Sequence, residues 1–333
     1  MKKKIYFYSG NHENSKSIDS YYLLCKKKFS HYNIILSKVL KKNSVNIIME
    51  GFDKKQYLKI AKNKNDNFKV ILIITEFLDI KNKTFNSFDK KKSFSIEYFF
   101  FYILIYIYQF LKLNNYLWFK KIYNLLNLKK KFSSFPSVEL AKETVRMKKR
   151  FIYFEEILSL SSLIYCSHEK IKKDLIKFYN RESYLIFPIL KKIAKKKFNK
   201  KIKFSGSLTS YRKKILKKFN LNYKSYGFFI NDRKKNYIYS IHPKKNLRWF
   251  FSSPIRYIDS ILYGEIPLTI EKFVDNYDKL LSIKLTNTDK IGLNITKKKY
   301  SSDIKNINNK ILNFNKSIKF DDLKGKTKLK KII

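Results

Sequence analysis

Cysteine is nearly absent from this chain. Cys25 and Cys166 are the only two among 333 residues, which argues against a disulfide framework and fits a reducing compartment. Arginine is scarce as well. Seven of the 74 basic residues are Arg, although readers of nucleic acid and phosphate lean on its bidentate fork. No apolar run is long enough to cross a bilayer. The longest uncharged stretch, Tyr98 to Leu111, has 14 residues, short of the roughly 20 that a spanning helix needs. It reads as a buried or membrane-surface helix. Behind the basic start Met1-Lys2-Lys3-Lys4 the apolar run covers only Ile5 to Tyr8. That is too short for the core of a signal peptide and suits a first β-strand.

Several motifs are missing too. There is no Gly-x-x-x-x-Gly-Lys-Ser/Thr and no Gly-x-Gly-x-x-Gly, so neither a P-loop nor a dinucleotide fingerprint is expected. No Cys/His group has zinc spacing, and no Asp-x-Asp suggests a metal-held diphosphate. No Gly-x-Ser-x-Gly elbow supports a hydrolase.

What is present is lysine, to a formal net charge of +48, with 44% apolar residues, enough for sizeable cores. Two readings of the charge stand side by side. The Lys, Asn, Ile, Phe and Tyr excess is what an AT-rich genome imposes by codon bias. The second reading is an anionic partner, a membrane leaflet or a polyanion.

Along the chain, strands alternate with helices. Lys4–Ser9, Val45–Met49 and Phe68–Thr75 read as strands; the last is nearly all apolar, as a parallel strand covered on both faces would be. Ser17–Lys28, Ile34–Lys41, Lys54–Asn63, Ile96–Leu128 and Val138–Leu160 read as helices, followed by strands at Ser162–Cys166 and Tyr184–Pro188 around a helix ending at Tyr179, with His168 in its cap region. Lys191 to Lys203 carries eight lysines and reads as a linker. The alternation then restarts, with strands at Ile202–Leu208, Tyr223–Ile230 and Tyr237–Ile241 and helices at Thr209–Phe219 and Phe273–Ile283. The pattern predicts an α/β protein with parallel sheets. One Rossmann-like domain spans residues 1–190 with a helical insertion at about 94–160. A second spans 200–320, and a basic tail, frayed after Asp322, spans 321–333.

The residues with special backbone or recognition chemistry gather in one region. Gly, Pro, His and Arg together number 23, and 11 of them fall between Gly206 and Pro267, where an even spread would place four or five. At its heart Ser252–Leu268 reads as a helix capped by Ser253, with Pro254 at its first position, stopped by Gly264 in a positive-φ conformation, and leading into an edge or initial strand position at Pro267. Ile255, Ile258, Ile261 and Leu262 form its buried face; Arg256, Asp259 and Tyr263 share another. A strand, then Gly206-Ser207, then a helix bearing Arg212 is a phosphate cradle by physics, because a helix N-terminus offers free N–H groups and partial positive charge. Ser252, Ser253 and Arg256 make a second such helix start.

Two stretches carry a family resemblance. Ile202–Leu216 looks like the opening of the C-terminal domain of bacterial glycosyltransferases built from two Rossmann-like domains facing a central crevice (GT-B), and Ser252–Leu268 resembles their donor-site helix. The resemblance implies a nucleotide sugar on the second domain, with Gly206 and Ser207 near its phosphates and Arg212 or Arg256 neutralising them. Asp259 stands where many retaining members have the second glutamate of an acidic pair; Phe251 replaces the first. A narrower likeness, to bacterial sialyltransferases, lies in His242-Pro243 and Ser252-Ser253, where the His and Ser would hold the phosphate of a CMP-sugar without metal or other cofactor. The acidic-acidic-Gly motif of that group has only partial matches, Glu50-Gly51 and Glu155-Glu156.

By position after the first-domain strands, His12, Glu50 and Glu76 are the candidates for a catalytic base. The expectation is therefore a cytoplasmic transferase, in peripheral contact with the inner membrane face, moving a hexose or sialic acid onto a cell-surface polysaccharide or lipid-linked acceptor. Nucleic acid is not its expected partner. The alternatives are a non-enzymatic basic protein on nucleic acid or anionic membrane, and a transferase fold that has lost its chemistry.

Overall fold

The computed structural model describes residues 3–10, 17–49, 52–65, 67–75, 78–81, 83–85, 103, 150–199, 202–204, 209–218, 237–243, 254–270, 273, 276–285 and 295–333. The expected helix Ile96–Leu128, save for Ile103, and the expected strand Tyr223–Ile230 lie outside these residues.

The protein is α/β with two parallel sheets. The first has six strands, β1 (Lys4–Tyr8), β2 (Asn33–Ser37), β3 (Val45–Met49), β4 (Lys69–Ile74), β7 (Leu163–Cys166) and β8 (Tyr184–Leu185), in the order β2-β1-β3-β4-β7-β8. Every pair in it is parallel, and the chain reverses its direction of winding between β1 and β3, as doubly wound sheets do. A small antiparallel pair, β5 (Leu78–Asp79) and β6 (Thr84–Phe85), follows β4. Helices α1 (Ser17–Lys28), α2 (Lys54–Asn63), α3 (residues 150–160) and α4 (Glu169–Tyr179) belong to this half. β3 and β7 are buried along their whole length and β4 from Val70 onward, the signature of strands covered on both faces.

The second sheet has four short strands, β9 (Ile202–Phe204), β10 (Tyr239–Ile241), β11 (Ile266–Thr269) and β12 (Ile283–Lys284), also all parallel, in the order β12-β11-β10-β9. Its helices are α5 (Ser210–Lys218), α6 (Pro254–Leu262) and α7 (Asn276–Leu281).

Three expectations need correction. Ile34–Lys41 is not helical: Asn33–Ser37 pairs with β1 in register, Ile34 opposite Ile5. The β-branched Ile34 and Ile35 suit a pleated surface, and sheet pairing overrides the helical spacing. Pro267 sits within an inner strand rather than at an edge or first position. The Ile266 N–H donates to Ile238 O and Leu268 O accepts from His242 N, so Pro267 turns its missing donor toward β12, whose pairing starts only at Leu268. The third correction concerns the end of the chain. Residues after Asp322 do not fray; they continue α8 (Lys297–Ile332), a single helix of 36 residues and so about 54 Å long.

α8 packs on both sheets. At its start Tyr300 meets Tyr239 edge-on (6.0 Å between centroids), and the Tyr239 hydroxyl donates to Asp303 (2.7 Å). Midway the carboxamides of Asn308 and Asn315 each accept from and donate to the backbone of the lysine-rich connector, at Ile193 and Leu190. Farther on, Asp321 accepts from the Leu185 N–H and pairs with Lys172, while Asp322 pairs with Lys28 (2.7 Å) and Lys326 (2.7 Å). Gly325 lets the helix lie close on the sheet: a Cβ there would meet the Tyr165 hydroxyl and Tyr184 at 3.2 Å. Among the described residues no helix is long and apolar enough to cross a membrane.

Lys28 and Asp322 are 2% and 9% exposed at the side chain, and removing one partner of a buried pair typically costs about 3–5 kcal/mol. Asp322→Ala is therefore expected to lower the unfolding free energy by about 3 kcal/mol. Lys28→Met combined with Asp322→Leu recovers most of that loss. Urea denaturation of the three proteins checks both statements.

Candidate functional site

In parallel sheets, ligands collect at the C-terminal ends of the strands. The residue that follows β10, an inner strand of the second sheet, is His242. Its N–H donates to Leu268 O (3.1 Å), which fixes its backbone at the sheet edge. The imidazole lies on the same face as Ser240, two residues back on a strand. Its Nε2 is 3.0 Å from Ser240 Oγ and 2.8 Å from Ser260 Oγ on α6. Ser260 is itself aimed by its bond to Arg256 O, one turn earlier (3.1 Å). The Tyr257 ring packs edge-on against the imidazole at 5.6 Å, and the Tyr257 hydroxyl donates to Thr269 Oγ1 (3.2 Å).

His242 is buried, and its Nδ1 has no hydrogen-bond partner among the described residues. Either tautomer leaves that atom over. With Nε2 accepting from Ser240, Nδ1 is an N–H donor; with Nε2 donating to Ser260, it is a bare lone pair. A buried polar atom in this state costs about 1–3 kcal/mol. Burial, then the charges of Arg256, Lys203 and Arg212, hold the imidazole well below its usual pKa. The ring is neutral, among cations, with one polar atom unengaged.

Arg212 approaches from α5. Thr209 caps that helix, its Oγ1 accepting from the Arg212 N–H (3.3 Å). The Arg212 side chain is fully buried, with Nε donating to Pro243 O (3.1 Å) and the guanidinium 5.6 Å from the centre of the Phe204 ring. It thereby fastens the start of α5 to the end of β10, beside His242. Arg256 comes from the first turn of α6. Of that helix, Pro254, Ile255, Tyr257, Ile258, Ser260 and Ile261 are buried, and Arg256, Asp259 and Leu262 are half-buried, so the expected polar face exists and Leu262 borders it. Gly264 (φ 67°) ends α6, with Gly264 N–H donating to Ile261 O and Glu265 N–H to Ser260 O, the paired closure of a helix that stops on a left-handed residue.

Arg212, His242 and Arg256 are thus brought to one edge of the second sheet. Asp259 is on the same face of α6 as Arg256, and its charge also acts on Glu265, at the start of β11. Gly206, Ser207, Ser252 and Ser253 lie outside the described residues, and so do His12, Glu50 and Glu76. The strands that precede the last three, β1, β3 and β4, are neighbours in the first sheet. His168 stands at the N-cap of α4 and makes no side-chain cap bond.

Sequence reasoning did not single out Ser240, Ser260, Lys203 or Glu265. The period of two along a strand links Ser240 to His242; nothing in the sequence links Ser260. Lys203 donates to Glu265 (3.2 Å) at the opposite, N-terminal end of the sheet, where Lys196 also bonds Tyr237 O and Tyr263 O, each at 2.9 Å. Burial pushes Glu265 up to about 7 against the pull of these two lysines.

Chemically, the edge offers a buried imidazole nitrogen beside guanidinium charge, a set that suits an anion. Among the described residues no group of three His, Cys, Asp or Glu is placed to hold a metal ion.

Two titrations of opposite sign follow. An unfolded His titrates at about 6.5 and His242 well below that in the fold, so its contribution to stability is lost as pH falls below about 6.5. Glu265 binds its proton up to about 7 in the fold and to about 4.3 unfolded, so its contribution falls as pH rises through that window. The stability difference between wild type and His242→Asn is expected to grow from pH 5 to 7, and that between wild type and Glu265→Gln to shrink. Denaturation at both pH values measures each difference.

No protein-family model, curated protein or solved structure matches this chain significantly.

Proposed function

We propose that the chain is a metal-independent glycosyltransferase of the GT-B plan. In this reading the second sheet holds the nucleotide of an activated sugar, and the first sheet presents the acceptor across a crevice. The observation that carries it is the meeting of Arg212, His242 and Arg256 at the C-terminal edge of a parallel sheet, with His242 Nδ1 unengaged.

The chemistry follows from where charge develops. As the bond between the anomeric carbon and the phosphate oxygen breaks, negative charge gathers on the phosphate. A guanidinium and a buried imidazole N–H facing it would stabilise that leaving group without a metal. Arg256, half-buried on α6, would face the phosphate directly. Arg212, with Nε held by Pro243 O, would position the loop that carries His242. Gly206, Ser207, Ser252 and Ser253 belong to the same donor site by their place in the chain, and Asp259 is assigned to the nucleotide side of α6. A base on the acceptor hydroxyl would come from His12, Glu50 or Glu76. The donor is a CMP-sugar such as activated sialic acid, or a nucleoside-diphosphate hexose. The acceptor is a cell-surface polysaccharide or lipid-linked glycan at the inner membrane face.

Thermal melting at fixed salt with CMP, UDP, GDP and their sugars tests the reading on wild type, Arg256→Ala and His242→Ala. One nucleotide is expected to raise the melting temperature of the wild type, and Arg256→Ala to weaken its binding at least tenfold, the loss of about 1.4 kcal/mol or more expected for a charged hydrogen bond. If heparin shifts the protein in a salt-dependent way and no nucleotide does, the transferase reading fails and a polyanion-binding role replaces it.

A further inference from the structure

The C-terminal half of α8 buries Phe314, Ile318 and Leu329 in the core, and carboxylates with them. Between Leu312 and Lys331 its carboxylates face inward: Asp321 and Asp322 are each 7% exposed and paired with Lys172, Lys28 and Lys326. Three other large apolar side chains face outward. Phe320 is 68% exposed, Leu323 63% and Leu312 41%. On a helix these three fall on one side, along with Lys316, Lys319 and Lys324, all exposed. Lys324 Nζ sits 4.5 Å from the centre of the Phe320 ring. At the rim, Lys328 reaches Glu182 at 3.6 Å.

The buried ion pairs lock this rotation. Turning Phe320 and Leu323 inward would expel Asp321 and Asp322 from their lysines and from the Leu185 N–H, at the cost of several buried charges. The apolar side chains are therefore held in water, in a field of lysines, by the same contacts that dock the helix.

We propose that this outward face of α8 rests on an anionic membrane surface, with Phe320 and Leu323 entering the acyl boundary and the lysines meeting lipid phosphates. A basic helix with a bulky apolar centre is the chemistry of interfacial binding, and each lysine near an anionic leaflet adds to the attraction. Complementarity of charge argues for anionic over neutral lipid. The Phe and Leu argue for a membrane over nucleic acid, since a polyanion in water offers apolar side chains nothing to enter. This inference does not rest on the transferase reading.

Flotation of the full chain with mixed phosphatidylglycerol and phosphatidylcholine vesicles, and with phosphatidylcholine alone, tests it. Wild type is expected to float with the anionic vesicles only. Phe320→Ser and Leu323→Ser should each weaken the partition roughly tenfold while leaving thermal melting unchanged, because both side chains are exposed. Phe320→Trp should gain blue-shifted emission over wild type on anionic vesicles and none on duplex DNA. Equal flotation of wild type and both serine variants would overturn the proposal, since the attraction would then be that of dispersed charge. So would a Phe320→Trp protein that floats while its added emission keeps the wavelength it has in water.

Discussion

Two adjacent carboxylates, Asp321 and Asp322, govern how α8 lies. Their bonds to Lys28, Lys172 and the Leu185 N–H fix the rotation of the helix against the first sheet. That rotation puts Gly325 against Tyr165 and Tyr184, Phe314 against Phe187 at 5.6 Å, and Asn308 and Asn315 against the connector. It also aims Tyr300 and Asp303 at Tyr239 of β10, the strand that ends in His242. In a chain of +48 formal charge, carboxylates are few, and the fold places these two where each engages more than one donor. The Asp322 carboxyl shows the balance: burial raises its pKa, and Lys28 and Lys326 more than offset this, leaving it below the usual carboxylate value.

The second sheet distributes its charges by function of place. Toward its C-terminal edge stand a neutral imidazole and two arginines, and the charges of Arg256, Lys203 and Arg212 act on His242. Toward its N-terminal end, Lys203 donates to Glu265, and Lys196 to the carbonyls of Tyr237 and Tyr263. Cationic charge thus acts on His242 at the edge where ligands of parallel sheets collect, while toward the far end one buried Glu265 oxygen has no hydrogen-bond partner among the described residues.

Much of this was legible in the residues. The apolar run before Thr75 announced β4 as an inner parallel strand, and Pro254 and Gly264 marked the bounds of α6 within a residue. Gathering of rare Gly, Pro, His and Arg pointed to the segment that supplies Arg212, His242 and Arg256. Other features were hidden for physical reasons. Ile34–Ser37 is too short for period alone to separate strand from helix. Ser260 joins His242 only because α6 folds back over β10, a tertiary fact with no local signal. Fraying after Asp322 is what a stretch so rich in lysine suggests, yet Gly325 and Leu329, spaced one turn apart, are buried and carry the helix on to Ile332.

The amide pairs of Asn308 and Asn315 treat the connector between the sheets as if it were a neighbouring strand, each donating to and accepting from one backbone position. This has a consequence during synthesis. α8 follows both sheets in the chain, so until it emerges the connector's polar backbone and the flank of β8 lack their cover. Contacts between α8 and α1, such as Lys28 with Asp322, close a loop of nearly the whole chain, and such distant closures are the slow ones. Until α8 emerges, the nascent protein therefore exposes a strand edge and leaves Lys28 and Lys172 without their α8 carboxylates, the interval in which partly folded chains are most open to wrong pairing and to holdase capture.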